Sequence, residues 1–303
     1  RRSSDLAEAQ KGKGFRLDDF RGFGQLKEKA LDNKAIRPSI LLLGGIVLLV
    51  LIIALLAAVP PVSKDALVHH LAVPKIYLRH GHMVELPSMP FSYYPMNLNI
   101  LYGVSLYFGN DILPKYIHFA FALVTAGCIF LYLKRRLSPA YGAFGALFFL
   151  SIPIIVKLST TVYIDLGVIC FITGSILFFL RWLETGMRFR YLALSALFCG
   201  LAMGTKYNAL IALFLLTLSV PFFYSRRAPA VRGRSVRALG LCAAYFLIAV
   251  LVCSPWFIRN YQWTENPLHP LYKHLFQAEI EDAKEMVATA AAPKKVGHGR
   301  FTY

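Results

Sequence analysis

Four ionisable residues stand where long apolar segments of the sequence end: Asp65, Asp165, Lys206 and Arg259. Ionisable groups beside membrane-spanning segments are costly and are therefore default candidates for function. A lysine or arginine there can bind the phosphate of a lipid headgroup. A carboxylate nearby can take the proton of an attacking hydroxyl, while the cations stabilise a leaving phosphate. The pattern predicts a group transfer at headgroup level, with Asp65 as the base and the other three residues binding substrate.

Histidine and tyrosine side chains accompany the first of these acids. His69 follows Asp65 by four residues, so a helix would place both on one face, and His70 is adjacent. We expect His69, His70 and Tyr94 to contact the polar groups of a substrate. A divalent ion held by Asp65 and the two histidines is the alternative, and ordinary polar contacts of a loop are another. Tyr94 would equally suit an interfacial aromatic belt.

Each of the four ionisable residues also has a purely structural explanation. Asp65 could be an acid stabilised by a helix dipole, and Asp165 could cap the helix that it precedes. Lys206 could extend its ammonium group to the interface while its aliphatic stem stays in apolar surroundings. Arg259 could anchor a helix end at the headgroups.

The composition predicts an all-α polytopic membrane protein. Hydrophobic residues make up 57% of the chain, and the mean hydropathy is +0.53. Charged residues make up 16%, below the ~25% of ordinary soluble domains. Apolar runs of about 20 residues can cross a ~30 Å hydrocarbon layer as helices. We predict about seven transmembrane helices, near residues 39–59, 113–133, 140–157, 166–182, 191–204, 209–224 and 238–254.

The remaining segments suggest three regions. Residues 1–38 read as a basic cytoplasmic tail, with a short interfacial helix near Leu26–Leu31. Residues 39–254 form the transmembrane domain, whose long first outer loop, 60–112, carries helices that lie on the membrane surface. Residues 255–303 read as an outer C-terminal segment, which we expect to be truncated.

The distribution of basic residues predicts the orientation in the membrane. Of the 33 lysines and arginines, ten lie in the N-terminal tail and eleven in three short links that would share its side. Such an excess marks the cytoplasmic side. The first loop and all four ionisable residues would then lie on the outer side of an inner or plasma membrane. The net charge of +17 is therefore explained by topology and does not indicate nucleic-acid binding.

The cysteines do not suggest a disulfide framework or a metal site. They show no CxxC spacing and no histidine at ligand spacing, so we read them as small buried apolar residues. All five lie in apolar segments, at Cys128, Cys170, Cys199, Cys242 and Cys253.

Four stretches resemble a known group of enzymes. The run from Lys64 to Lys75, followed by Tyr93–Asn97, resembles the first outer loop of bacterial GT-C membrane glycosyltransferases, which include protein O-mannosyltransferases and the lipid A aminoarabinose transferase. Residues 162–166 resemble the second-loop Asp motif, and 200–206 resemble the Gly-to-Thr-Lys hairpin. Residues 256–270 resemble the segment after the seventh helix. The resemblance covers about residues 40–275.

The resemblance implies a function and a partner. It implies a polyprenyl-phosphate sugar donor, inversion at the anomeric carbon, and Asp65 of the first loop as the base. The acceptor would be a lipid, a glycan or a protein of the cell envelope. It also implies a longer protein with more helices. It makes no cofactor certain, although a divalent cation is possible, and the first loop lacks the second acid that some members have.

Two alternatives from other classes remain at this point. A transporter or flippase of a lipid-linked or polar solute would carry polar or broken helices at mid-membrane, often with an internal repeat. No repeat is visible in this sequence, and the ionisable groups sit at the outer boundary. A non-catalytic subunit of a membrane assembly could keep the fold without the chemistry, and a closed pocket beside Asp65 would favour it.

Overall fold

The computed structural model describes residues 33–227 and 233–272, and this part of the chain is helical with no strands. The predicted helix near Leu26–Leu31 and the end of the C-terminal segment lie outside these ranges. The elements are α1 Asn33–Ala57, a π-helical turn Ala66–His70, α2 Ala72–His80, a 3-10 turn Pro90–Tyr93, α3 Asn97–Tyr107, α4 Leu113–Arg136, α5 Pro139–Ser151, α6 Pro153–Ser159, α7 Asp165–Glu184, α8 Phe189–Met203, a 3-10 turn Tyr207–Ala209, α9 Leu210–Arg227 and α10 Arg234–Thr264.

All seven segments predicted to span are helical, but their lengths differ from the prediction. Among the described residues, five helices are long and apolar enough to cross a membrane, or six if α5 and α6 count as one bent span. Helix α8 has 15 residues, which reach about 22 Å at 1.5 Å per residue. That is shorter than the hydrocarbon layer, so length and composition do not support α8 as a seventh independent span. The chain is nevertheless an all-α polytopic membrane protein.

The predicted single helix 140–157 is broken. Helices α5 and α6 meet at an angle of 69°. The break falls at Ile152, whose backbone is extended, with ψ of 124°. The cause is Pro153, which has no N–H to donate and disfavours a helical conformation at the residue before it.

The last helix extends ten residues beyond the predicted end at residue 254, to Thr264. Pro255 lies inside it and does not end it. The carbonyl of Leu251, which a proline at position 255 cannot satisfy, accepts a hydrogen bond of 2.7 Å from the Ser254 hydroxyl. Such local compensation is how transmembrane helices tolerate proline. Arg259 is therefore a residue of a helix rather than of a link.

The helices pack in a defined order of neighbours, α1–α5–α4–α7–α8–α10–α9. One apolar cluster joins α7, α8, α9 and α10 and receives Val73 and Tyr77 of α2. A second joins α1, α4, α5 and α6 around Ile53 and Leu150. A third lies under the first loop, where Tyr102 of α3 packs near the link between α6 and α7.

Two glycines permit the close packing of α8. A Cβ on Gly200 would lie 2.5 Å from the carbonyl oxygen of Ala249 in α10. A Cβ on Gly204 would lie 2.4 Å from the side-chain nitrogen of Asn97. Both distances are below any real contact, so the short helix can reach its neighbours only with glycine there. The glycines of the Gly-to-Thr-Lys stretch thus allow the close packing that determines where Lys206 lies.

The first loop contains short helices, as the sequence predicts. The Ser63 hydroxyl accepts a bond of 3.3 Å from the Ala66 N–H, as expected of a helix start. The chain then widens into the π-helical turn, closed by a bond of 2.9 Å from the Leu71 N–H to the Ala66 carbonyl. Pro74 comes near the start of α2, where a missing N–H is tolerated. π-helical turns are frequent at functional sites.

Candidate active site

A pocket of about 340 Å³ opens at one end of the helix bundle. Its walls come from four separate segments: the π-helical turn, the segment before α3, the link between α6 and α7, and the link between α8 and α9. Six of the seven residues predicted to form the site line it, namely Asp65, His69, His70, Tyr94, Asp165 and Lys206. Arg259 is not among the lining residues. Room for a ligand exists beside Asp65.

Asp65 is exposed at the rim of the pocket. The Tyr163 hydroxyl donates a hydrogen bond of 3.2 Å to its Oδ2 atom. Tyr163 belongs to the link between α6 and α7, so this bond joins the first loop to the helix bundle. It leaves the second carboxylate oxygen of Asp65 available to a ligand.

Lys206 and Asp165 form an ion pair across the pocket floor. The Lys206 ammonium lies 2.7 Å from Asp165 Oδ1. The two side chains are 36% and 31% exposed, so a ligand can reach the pair from the pocket. Lys206 has three N–H donors, and a ligand phosphate can bind to those that Asp165 does not occupy.

The two histidines of the π-helical turn are neutral donors or acceptors. Burial lowers the pKa of His69, with Asp65 acting in the opposite direction. Burial, followed by repulsion from His69, lowers the pKa of His70 to about 3. The Asn99 amide lies 3.1 Å from His70 Nδ1 and donates to it when the ring proton is on Nε2. The His69 ring stacks on Phe91, with ring centroids 4.8 Å apart.

Arg259 lies behind the wall that carries Tyr94. Its Nη2 donates to the Tyr93 carbonyl at 2.8 Å and to the Tyr94 carbonyl at 3.2 Å. The guanidinium is sandwiched between two indole rings, with centroids 4.8 Å away for Trp256 and 4.9 Å away for Trp263. With only 8% of the residue exposed, Arg259 holds the pocket wall from the protein side instead of facing a substrate.

Asn97 joins the start of α3 to α8 and α10. Its side-chain amide donates to the Leu201 carbonyl at 3.2 Å, and its Oδ1 accepts a bond of 2.8 Å from the Trp256 indole. Its backbone N–H donates to the Gly204 carbonyl at 3.0 Å. These bonds fix the start of α3 against the end of α8, and so they fix the Lys206 link against the Tyr94 wall.

Several polar residues of the pocket were not predicted as site residues. They are Asn99, Tyr163, Thr205, Tyr207 and Asn208. Tyr163 and Thr205 stand one or two residues from predicted ones, so their proximity was a usable signal. Asn99 offers no such signal, because its helix α3 meets the π-helical turn only in the folded chain. The spacing of residues 256, 259, 260 and 263 is that of one helix face, and it could have placed Arg259 inside the bundle.

Within the described ranges, no group of three or more His, Cys, Asp or Glu side chains could hold a metal ion. His70 Nδ1 is already engaged by Asn99. The alternative of an ion held by Asp65, His69 and His70 therefore finds no support in the geometry.

The arrangement suits acid–base chemistry next to a bound anion. A carboxylate with a free oxygen, a cation with free donors and neutral histidines surround one open space. An apolar side of the same space is formed by Phe91, Met96 and Ile164. A ligand with a phosphate, hydroxyl groups and an apolar portion matches this lining.

Residues 95–258, more than half of the chain, match the sequence model of the dolichyl-phosphate-mannose-protein mannosyltransferase family. No curated protein and no solved structure matches the chain. The matched range includes Asp165, Lys206 and most of α10, whereas Asp65 precedes it.

Proposed function

The chain belongs to the dolichyl-phosphate-mannose-protein mannosyltransferase family and is a membrane glycosyltransferase, and we propose that it takes its sugar from a polyprenyl-phosphate-linked donor. The acceptor is a hydroxyl of a lipid, a glycan or a protein. The observation that carries this proposal is that Asp65 and Lys206, from distant parts of the sequence, line one open pocket.

In the proposed reaction the acceptor oxygen attacks the anomeric carbon from the side opposite to the phosphate. The bond from that carbon to the phosphate oxygen breaks, and the polyprenyl phosphate leaves with the electron pair. The proton of the acceptor hydroxyl passes to the free carboxylate oxygen of Asp65. The configuration at the anomeric carbon is inverted, because a single displacement occurs.

Lys206 binds the donor phosphate in this proposal. Its ammonium neutralises the charge that develops on the leaving group, which is the electrostatic share of the catalysis. Asp165 holds the ammonium in place through their ion pair. Neutral His69 and His70, together with Tyr94, contact the hydroxyl groups of the sugar. Arg259 supports Tyr94 from behind through the backbone.

The reaction takes place on the outer side of the membrane. The pocket lies at the end of the bundle where α7 begins, and the basic residues Arg136 and Arg181 lie at the end where α4 and α7 finish. Basic links mark the cytoplasmic side, and this supports the proposal that the pocket faces outward and that the N-terminus is cytoplasmic.

Sugar transfer by the full chain in lipid tests the proposal. A panel of polyprenyl-phosphate sugars is offered to the wild type, to Asp65→Asn and to Asp111→Asn. We expect transfer to fall by about 10²- to 10⁴-fold in Asp65→Asn, the range for loss of a general base, while donor binding persists. Asp111→Asn is the matched control, because Asp111 is another loop acid, paired with Lys75 at 2.7 Å and absent from the pocket.

Each contrary result has a defined meaning. Full activity in Asp65→Asn would move the base elsewhere, with Asp165 as the next candidate. Failure of the wild type to bind or use any donor of the panel would overturn the polyprenyl-phosphate assignment. Equal losses in Asp65→Asn and Asp111→Asn would show a general effect of the loop and not a base.

A further inference from the structure

A histidine in the interior of α4 is bonded through both ring nitrogens. His118 is fully buried, with 0% exposure. Its Nδ1 lies 3.0 Å from the Leu158 carbonyl and 3.1 Å from the Thr161 carbonyl. Its Nε2 lies 3.0 Å from the backbone nitrogen of Leu166. All three partners are backbone groups at the two ends of the link between α6 and α7.

These partners determine which ring nitrogen carries the proton. A backbone N–H can only donate, so Nε2 of His118 accepts from Leu166 and has no hydrogen. Carbonyl oxygens can only accept, so Nδ1 carries the hydrogen and donates. The ring is therefore neutral and of a defined tautomer, with one donor and one acceptor in use.

The Leu166 N–H needs such a partner because of where it stands. It belongs to the first turn of α7, where backbone N–H groups have no acceptor within their own helix. His118 satisfies it from a neighbouring helix and at the same time binds carbonyls at the end of α6. One side chain thus spans the link and fixes the distance between its two ends.

The link between these ends carries two residues of the pocket. Tyr163 donates to Asp65, and Asp165 pairs with Lys206. The middle of the link has a second anchor, since the buried Tyr102 hydroxyl donates to the Tyr163 carbonyl. Neither His118 nor Tyr102 lines the pocket, so both act through the backbone.

We propose that His118 is a positioning residue for the transferase site: its ring holds the link so that Tyr163 meets Asp65 and Asp165 meets Lys206. The proposal rests on the proposed function for its effect on activity, but its structural part does not. Loss of the ring hydrogen bonds is expected to loosen the link and to displace two polar contacts at once.

The test uses the full chain in lipid and three variants. His118→Phe keeps an aromatic ring and removes both hydrogen bonds. His118→Asn keeps a donor near the Nδ1 position, and His118→Gln keeps an acceptor near the Nε2 position. Thr125→Val is the matched control, because Thr125 is also buried on α4. Its hydroxyl donates to the Phe121 carbonyl of its own helix at 2.8 Å and meets Cys170 of α7, and neither residue belongs to the link between α6 and α7.

Hydrogen exchange of the peptide that contains residues 158–166 gives a readout without activity. We expect exchange there to rise by about tenfold or more in His118→Phe, which corresponds to about 1.4 kcal/mol of lost local stability. Smaller increases are expected in the Asn and Gln variants, and none in Thr125→Val. Unchanged exchange in all three His118 variants would overturn the proposal even if the protein transfers no sugar.

A double-mutant cycle gives the functional readout. Sugar transfer is measured for His118→Phe, Tyr163→Phe and the double variant, and we expect a fall of roughly 10- to 100-fold in the first. If His118 acts through Tyr163, the second change adds little to the first, because coupled residues are not additive. Fully additive losses would refute the positioning role. If His118→Phe does not fold, the Asn and Gln variants enter the same cycle.

Discussion

Two polar clusters lie among the same helices, and they differ in what their side chains leave free. One is halfway along the bundle, where the hydroxyls of Ser175, Ser195 and Tyr245 meet between α7, α8 and α10. Each serine donates to the backbone carbonyl of the other at 2.8 Å, and Tyr245 lies 3.1 Å from Ser175 Oγ. All three residues are completely buried. No donor or acceptor is offered to a ligand.

The other cluster is the pocket at the end of the bundle. Its ion pair between Asp165 and Lys206 is about one-third exposed, and Asp65 keeps one oxygen unused by Tyr163. Both clusters contain satisfied polar contacts, but the pocket cluster has unused hydrogen-bond donors and acceptors and open space beside them. Unused hydrogen-bonding capacity that a ligand can reach therefore distinguishes the pocket from the buried cluster.

Among the variants that compare these two clusters, the largest effect is expected from Lys206→Gln, which removes the pocket cation. We expect donor affinity to fall by about 10- to 100-fold, because a charge-assisted bond to phosphate is lost. Asp165→Asn is the matching variant, because it removes the carboxylate of the ion pair and leaves the Lys206 cation. In Asp165→Asn we expect a smaller loss, or a gain, of donor affinity. Donor affinity is measured by titration in lipid. An equal fall in both variants would mean that the ion pair is only structural.

A smaller effect is expected in the buried cluster of Ser175, Ser195 and Tyr245. Tyr245→Phe removes one hydroxyl and should lower stability by about 1 kcal/mol, the usual size for a hydrogen bond between membrane helices. Sugar transfer should stay within about twofold of the wild type, because no atom of this cluster contacts the pocket. Thermal unfolding and transfer are measured on the same preparation. A large loss of transfer with unchanged unfolding would break the distinction between the two clusters.

The smallest effect concerns the pH dependence of stability at the pocket. The pKa of His70 is lowered to about 3 in the folded chain, against about 6.5 when unfolded. Between these values the unfolded chain binds more protons, so stability falls as pH falls. From pH 7 to pH 6 the resulting loss of unfolding free energy is below about 1 kcal/mol. His70→Asn can still accept a hydrogen bond from Asn99, and it should make the melting temperature depend less steeply on pH. The exposed control His80→Asn should leave that dependence unchanged. An equal change of melting temperature with pH in the wild type and both variants would contradict a buried, neutral His70.

The helices of this protein could be predicted from the sequence because lipid leaves the backbone few choices. Each apolar run must satisfy its own N–H and C=O groups, so it becomes a helix. All seven predicted runs are helical. The positions of Asp65, Asp165 and Lys206 in the links between runs followed from the same pattern. Their chemical types were enough to name them as candidates.

Other features could not be read in this way. Pro153 breaks a helix and Pro255 does not, although both lie in apolar surroundings. The difference depends on local compensation, such as the bond from Ser254 to the Leu251 carbonyl. For this reason the break in the third predicted span and the extension of the last helix were both missed. Arg259 was consequently expected in a link, facing a phosphate.

Hydropathy and charge are local properties, so the sequence alone predicts that apolar helices alternate with polar links, and it predicts which links carry carboxylates and cations. Which of these groups meet depends on how the helices pack. The close approach of α8 at Gly200 and Gly204 brings Lys206 to Asp165, and the bonds of His118 set the link that brings Tyr163 to Asp65. Such meetings depend on packing between segments far apart in the chain, which no local pattern records.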